Sequence, residues 1–157
     1  MPIPVKRLNH AVLFVSDPAR SAEFYQAAFG FEVLSVEMGG QAVFMRSPIG
    51  GNHHDLGLFK AQRAQQISRG AVPGLYHLAW QVDEVTDLVE ARKTLADLGA
   101  LVGESDHGAS LSLYGQDPDG IEFEIMWAVP EEAWGEDGAR GVIRPLNLEA
   151  AVSKFSS

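Results

Sequence analysis

One design occurs twice in this chain. Asn9-His10-Ala11-Val12-Leu13-Phe14-Val15 is an apolar, strand-like run with a histidine near its start, followed by Ser16-Asp17-Pro18 and a helical pattern ending near Phe29-Gly30. Tyr76-His77-Leu78-Ala79-Trp80-Gln81-Val82 matches it, followed by Asp83-Glu84 and a helical pattern ending at Leu98-Gly99. Such a repeat means that the chain is built twice from one supersecondary unit, so His10 and His77 hold equivalent positions. Glu124 stands in the last strand-like run of the second copy. Two imidazoles and one carboxylate form the facial triad that suits non-haem Fe(II) with open positions for substrate and oxygen.

Composition leaves room for this chemistry. At 157 residues and 46% hydrophobic content, the chain has the size of one domain with a buried core. Its net charge of −9 comes from dispersed acids, which argues against nucleic acid or an anionic membrane as partner. There is no cysteine, so any metal must be held by nitrogen and oxygen. The start lacks the apolar stretch of a signal peptide, and no run approaches the roughly 20 residues of a membrane span, so a cytoplasmic protein is expected.

Periodicity and turn signals predict α+β architecture from two βαβββ modules. Module one, about 6–60, takes strand Leu8 to Val15, a helix to about Ala28, strands Phe31 to Met38 and Gln41 to Ser47 around Gly39-Gly40, and strand His54 to Phe59. A polar linker, 61–73, with room for a helical turn, leads to module two, about 74–128. That module takes strand Leu75 to Val82, helix Glu84 to Leu98, and strands Ala100 to Glu104 and Ser110 to Gln116. The turn Asp117-Pro118-Asp119-Gly120 and strand Ile121 to Trp127 complete it. The two modules are expected to form a single domain over 1–128, and 129–157 a C-terminal loop with a short amphipathic helix from Leu146 to Phe155.

Asn9-His10, Tyr76-His77 and Asp117-Pro118-Asp119-Gly120-Ile121-Glu122-Phe123-Glu124 together resemble the vicinal oxygen chelate superfamily, over about residues 6 to 128. Its members include glyoxalase I, bleomycin and fosfomycin resistance proteins and extradiol ring-cleaving dioxygenases. The resemblance implies an open, curved mixed β-barrel around a metal held by His10, His77 and Glu124. Three further residues look like those of the extradiol branch. His54, in Asn52-His53-His54-Asp55-Leu56-Gly57-Leu58-Phe59, matches its acid/base histidine; His107, in Asp106-His107-Gly108, matches the histidine before the last two strands; Tyr114 matches its active-site tyrosine. Glyoxalase-type members add a carboxylate on the fourth strand, where this chain has Leu56-Gly57-Leu58, and the resemblance places Asp55 outside the ligand set. Three protein ligands leave sites for two catecholate oxygens and O2, whereas four favour Lewis-acid isomerisation.

The resemblance therefore implies an Fe(II) enzyme, with Mn(II) as the alternative metal, that cleaves a small aromatic diol with O2 and forms a homo-oligomer, a dimer or larger. In it His54 exchanges protons with the diol, and His107 and Tyr114 hydrogen-bond a ring oxygen and developing charge. A glyoxalase-like or epimerase-like lyase or isomerase and a drug-sequestering resistance protein are the rival readings. Simpler roles compete residue by residue. Glu122 lies on the same side of its strand as Glu124 and is the competing ligand. His53 should face away from His54 and be a solvated loop residue, and Tyr114 could pack in the sheet with its hydroxyl at the rim. Trp80, Phe123 and Trp127 read as core or pocket wall, and the acids from Glu131 to Asp137 as a solvated face.

Overall fold

The computed structural model describes residues 2–62 and 74–156. It divides into two compact units, Met1–Ile67 and Ser68–Ser157, so the C-terminal stretch groups with the second module. The helical turn expected in the linker falls on residues 63–73 and lies outside the described residues.

In the first unit, β1 (Ala11–Val15) leads to α1 (Pro18–Phe29), then β2 (Glu32–Glu37), β3 (Ala42–Arg46) and β4 (Leu56–Lys60). The sheet order is β1-β4-β3-β2, with β1 parallel to β4 and the other pairs antiparallel. Asp17 caps α1 by accepting from the backbone N–H of Ala19 at 3.0 Å, and Pro18 occupies the first turn, where its missing N–H costs nothing. Strand alternation sends Leu13, Val15, Val43, Met45, Leu56 and Leu58 to one buried face with Ala22 and Tyr25 of α1. The expected two-glycine hairpin is instead a 3-10 turn over Met38–Gly40, with Met38 at φ 53.

The second unit repeats the plan. It runs β5 (Leu78–Val82), α2 (Asp87–Asp97), β6 (Leu101–Asp106), β7 (Ser110–Gln116) and β8 (Glu122–Ala128), in sheet order β5-β8-β7-β6. Here β5 and β8 are the parallel pair. Leu88 and Leu95 of α2 are buried, as are Leu111, Leu113, Phe123, Ile125 and Trp127 of the sheet. Phe123 lies over Gly115, where an added Cβ would meet its ring at 2.4 Å, so Phe123 is core rather than pocket wall. Trp127 donates its indole N–H to the Asp83 carbonyl at 3.2 Å and meets Phe155 of α3 (Leu148–Phe155), with ring centroids 5.1 Å apart. Short 3-10 turns at Glu131–Ala133 and Gly135–Ala139 fill the chain between. Among the described residues, two mixed four-stranded sheets and three α-helices make the α+β class that the repeat predicts.

Strand boundaries differ where they matter most. β1, β4 and β5 each begin later than expected, so His10, His54 and His77 sit just ahead of their strands. The ladder between β1 and β4 starts at Ala11 and Leu56; the Asp55 backbone still bonds to Ala11 and Met45, while its side chain turns to its own loop.

Candidate metal centre

In the first unit two histidines meet. The His10 and His54 rings are 4.4 Å apart between centroids, because they precede the adjacent parallel strands β1 and β4. Phe44 of β3 stands edge-on to His54 at 5.4 Å. Asn9 Oδ1 lies 3.0 Å from His10 Nδ1; an amide oxygen only accepts, so Nδ1 carries the proton and the Nε2 lone pair is left for another partner. Asn9 is held in turn: Asn52 donates from Nδ2 to the Asn9 carbonyl at 3.0 Å and to Asp55 Oδ1 at 2.7 Å. The other Asp55 oxygen accepts from the Ser47 backbone N–H at 2.7 Å. Asp55 is thus buried and committed to organising the loop ahead of β4.

His53 does not face away from His54. Both lie in the loop before β4, their Nδ1 atoms are 3.2 Å apart, and one must donate to the other. Alternation fails because it is a property of extended, paired strand, which starts only at Leu56. His53 is solvent-exposed, as expected of a loop residue.

The second unit gathers His77, Glu122, Glu124, Tyr114 and His107. The turn before β8 aligns the carboxylates: Asp117 Oδ1 accepts from the N–H groups of Asp119 and Ile121, each at 2.9 Å, and Gly120 adopts φ 77. This fixes the register in which Tyr114 pairs with Glu124. Both Glu122 and Glu124 are buried on one face, and His77 Nε2 approaches Glu124 Oε2 to 3.0 Å. The Tyr114 ring lies 5.8 Å from that of His77.

His107 joins the group through a part of the chain that sequence reasoning left aside. Its Nδ1 lies 2.8 Å from the Val142 carbonyl, an acceptor only, so Nδ1 holds a proton; a neutral ring then accepts the Tyr114 O–H at Nε2, 2.7 Å away. Asp106 pairs with Arg144 by a backbone bridge and by a side-chain contact at 3.3 Å, which fixes Val142 beside His107. Arg144 also reaches Asp137 at 2.8 Å, and Asp137 packs against Gly108. Asp137 is therefore part of this support and not of a solvated face. Its signal in the sequence is the pair of cations, Arg140 and Arg144, that follows the acidic stretch, both of which approach Asp137. Burial, reinforced by the Glu124 carboxylate across the strand pair, holds the Tyr114 phenol above its ordinary pKa, so it keeps its proton at neutral pH.

His77 and Glu124 have the donor types and spacing of two ligands of a divalent ion. Two ligands at about 2.1 Å from an octahedral ion and at right angles lie about 3 Å apart, which is the spacing of His77 Nε2 and Glu124 Oε2. The donors are imidazole and carboxylate throughout, since the chain has no cysteine. Among the described residues neither unit by itself closes a group of three ligands; His77 and Glu124 stand in one unit and His10 in the other. Nor is any helix of the described residues long and apolar enough to cross a membrane.

Known proteins are similar to this chain over much of its length. Catechol-2,3-dioxygenase of Bacillus subtilis (strain 168) is 31% identical over 130 residues, covering 83% of this chain and 44% of that protein. Metapyrocatechase 2 of Cupriavidus necator is 30% identical over 98 residues, 62% of this chain and 28% of that one. The chain thus spans less than half the length of these curated relatives. Among solved structures, a glyoxalase/dioxygenase from Nostoc punctiforme superposes with a TM-score of 0.68 at 20% identity, over 83% of this chain and 97% of that one, a likeness of fold. The family model described as Glyoxalase/Bleomycin resistance protein/Dioxygenase superfamily matches residues 7–125, and this chain belongs to that superfamily.

Proposed function

We propose that the protein is an extradiol-type dioxygenase that opens a catechol ring by inserting both atoms of O2, with His10, His77 and Glu124 holding Fe(II) or Mn(II). When bound, the ion supplies the sites at which the diol and O2 are brought together. The chain's own residues do the rest. His54, its ring tilted against that of His10, takes a proton from the diol and later returns one. Tyr114 and His107 act as one relay toward substrate oxygen: a neutral His107 takes the Tyr114 O–H into its own bond, whereas a protonated ring donates Nε2–H to the Tyr114 oxygen and leaves that hydroxyl free to donate outward to the substrate. Phe44, edge-on to His54, offers an apolar surface for the aromatic ring.

The observation that carries this reading against the proton-transfer members of the superfamily is the engagement of Asp55. Both its oxygens are bound within its own loop, so the carboxylate nearest to the place of a fourth ligand is already committed. The relatives named for catechol cleavage support the same branch. A homo-oligomer in the cytoplasm belongs to the proposal. The experiment is anaerobic loading with Fe(II) and then oxygen uptake with a panel of catechols. Uptake with a yellow ring-opened product is expected; no uptake, together with turnover of a glutathione hemithioacetal, would move the protein to the glyoxalase branch. Stoichiometric binding of an aromatic drug with neither reaction would make it a resistance-type binder.

A further inference from the structure

Glu122 is buried on the same face of β8 as Glu124, two residues before it, yet the metal reading gives it no task. The parallel register pairs Leu78 with Phe123, and one step beyond it His77 comes opposite Glu122. His77 presents its two nitrogens to two different carboxylates: Nε2 lies 3.0 Å from Glu124 and Nδ1 lies 3.7 Å from Glu122 Oε1. That Nδ1 is sealed from solvent and has no hydrogen-bond partner among the described residues. A buried N–H left unmade is costly, and a sealed atom has no room for an ion that must keep open positions.

We infer that Glu122 is a positioning residue for His77, its carboxylate accepting the Nδ1–H so that the lone pair stays on Nε2 and faces the metal beside Glu124. The inference rests on the reading of His77 and Glu124 as metal ligands. A separation of 3.7 Å is about half an ångström longer than a good hydrogen bond. The terminal torsion of a glutamate is broad and nearly two-fold, so a small turn of the carboxylate closes the gap without moving the strand. Ligating histidines generally give their second N–H to such a carboxylate, which fixes the tautomer and raises the basicity of the ligating nitrogen. Asn9 does the equivalent for His10 through its Nδ1 at 3.0 Å. Both repeat-matched histidines are then presented through Nε2, by a neutral acceptor in one unit and an anionic one in the other.

The test uses Mn(II) as the probe and needs no turnover. Mn(II) affinity is measured for the wild type, Glu122→Leu, Glu122→Gln and Glu124→Gln, and imidazole 15N shifts of the wild type loaded with diamagnetic Zn(II), when the ion replaces any proton shared by Nε2 and Glu124, locate the proton on His77. The expected result is a neutral His77 protonated at Nδ1, with Mn(II) bound roughly 10- to 100-fold more weakly by Glu122→Leu. Glu122→Gln, whose amide oxygen still accepts the N–H, should lie between that variant and the wild type, and its near-isosteric side chain guards against a folding artefact. Unchanged affinity in Glu122→Leu, or a proton on Nε2, overturns the inference. So does loss of all binding in both Glu122 variants with retention in Glu124→Gln, which would make Glu122 the ligand. Failure of the metal reading itself is distinct: the wild type then takes up no Mn(II) wherever the proton sits, and the inference falls with it.

Discussion

His54 separates chemistry from binding. As the acid/base group, its replacement in His54→Phe should leave Mn(II) affinity nearly intact and lower kcat by about 10²- to 10⁴-fold, read from the oxygen-uptake rate of the metal-loaded enzyme. His53→Ala is not a neutral control, because the two Nδ1 atoms touch; removing His53 releases the tautomer of His54 and should itself lower kcat, by less. At the rim of the second unit, the raised Tyr114 pKa has a definite sign. Between the ordinary tyrosine value near 10 and the higher folded value, the native state keeps a proton that the unfolded chain has lost. Stability from this group is therefore complete below about pH 10 and declines as pH rises through the folded value. A phenolate absorbance titration of metal-free protein should show one tyrosine ionising late, absent in Tyr114→Phe. Type and spacing single out the histidines and Glu124 as candidates, and the structure brings His10 to His54 and His77 to Glu124. The Val142 carbonyl was not legible, because a backbone acceptor has no signature in a sequence and its place depends on the Arg144–Asp106 pairing.

At the scale of elements, the turn before β8 and the glycine beneath Phe123 set where the carboxylates point. Asp117→Ala removes the acceptor of two N–H groups in a buried corner and should cost about 1–3 kcal/mol, measured by urea denaturation. Gly115→Ala drives a methyl into the Phe123 ring at 2.4 Å; overpacking of this kind costs roughly 1–3 kcal/mol and pushes β8 against its register. Metal affinity should fall with stability in Gly115→Ala, since Glu122 and Glu124 flank Phe123. Helices and strands were readable because period and caps agree, as at Asp17-Pro18 and over Ser110–Gln116, where the expected strand matches the observed one. The starts of β1, β4 and β5 were not. An apolar alternating run continues through His10 and His77, but a strand exists only where a neighbour supplies the ladder, and the last bonds before Leu56 are those of the Asp55 backbone to Ala11 and Met45.

Across the whole molecule, duplication explains both the economy of the design and its asymmetry. The two sheets share one order, with the parallel edge pair β1–β4 in one unit and β5–β8 in the other, so equivalent histidines precede equivalent strands. Their surroundings have diverged: His10 is joined by His54 and Asn9, His77 by two carboxylates and Tyr114. The proposed ligand set, His10 of one unit with His77 and Glu124 of the other, makes a prediction that a proposal confined to one unit does not. Mn(II) binding only the folded state raises stability by RT ln(1 + [L]/Kd), about 2.7 kcal/mol at a hundredfold excess over Kd. The wild type should show that gain in thermal melts, with one ion per chain by elemental analysis. His10→Ala and His77→Ala should each abolish the stoichiometric ion and the gain, although the substitutions fall in separate units and each leaves the other unit's side chains in place. Retention of both signals in His10→Ala, with loss in His77→Ala, would confine the metal to the second unit and remove His10 from the ligand set.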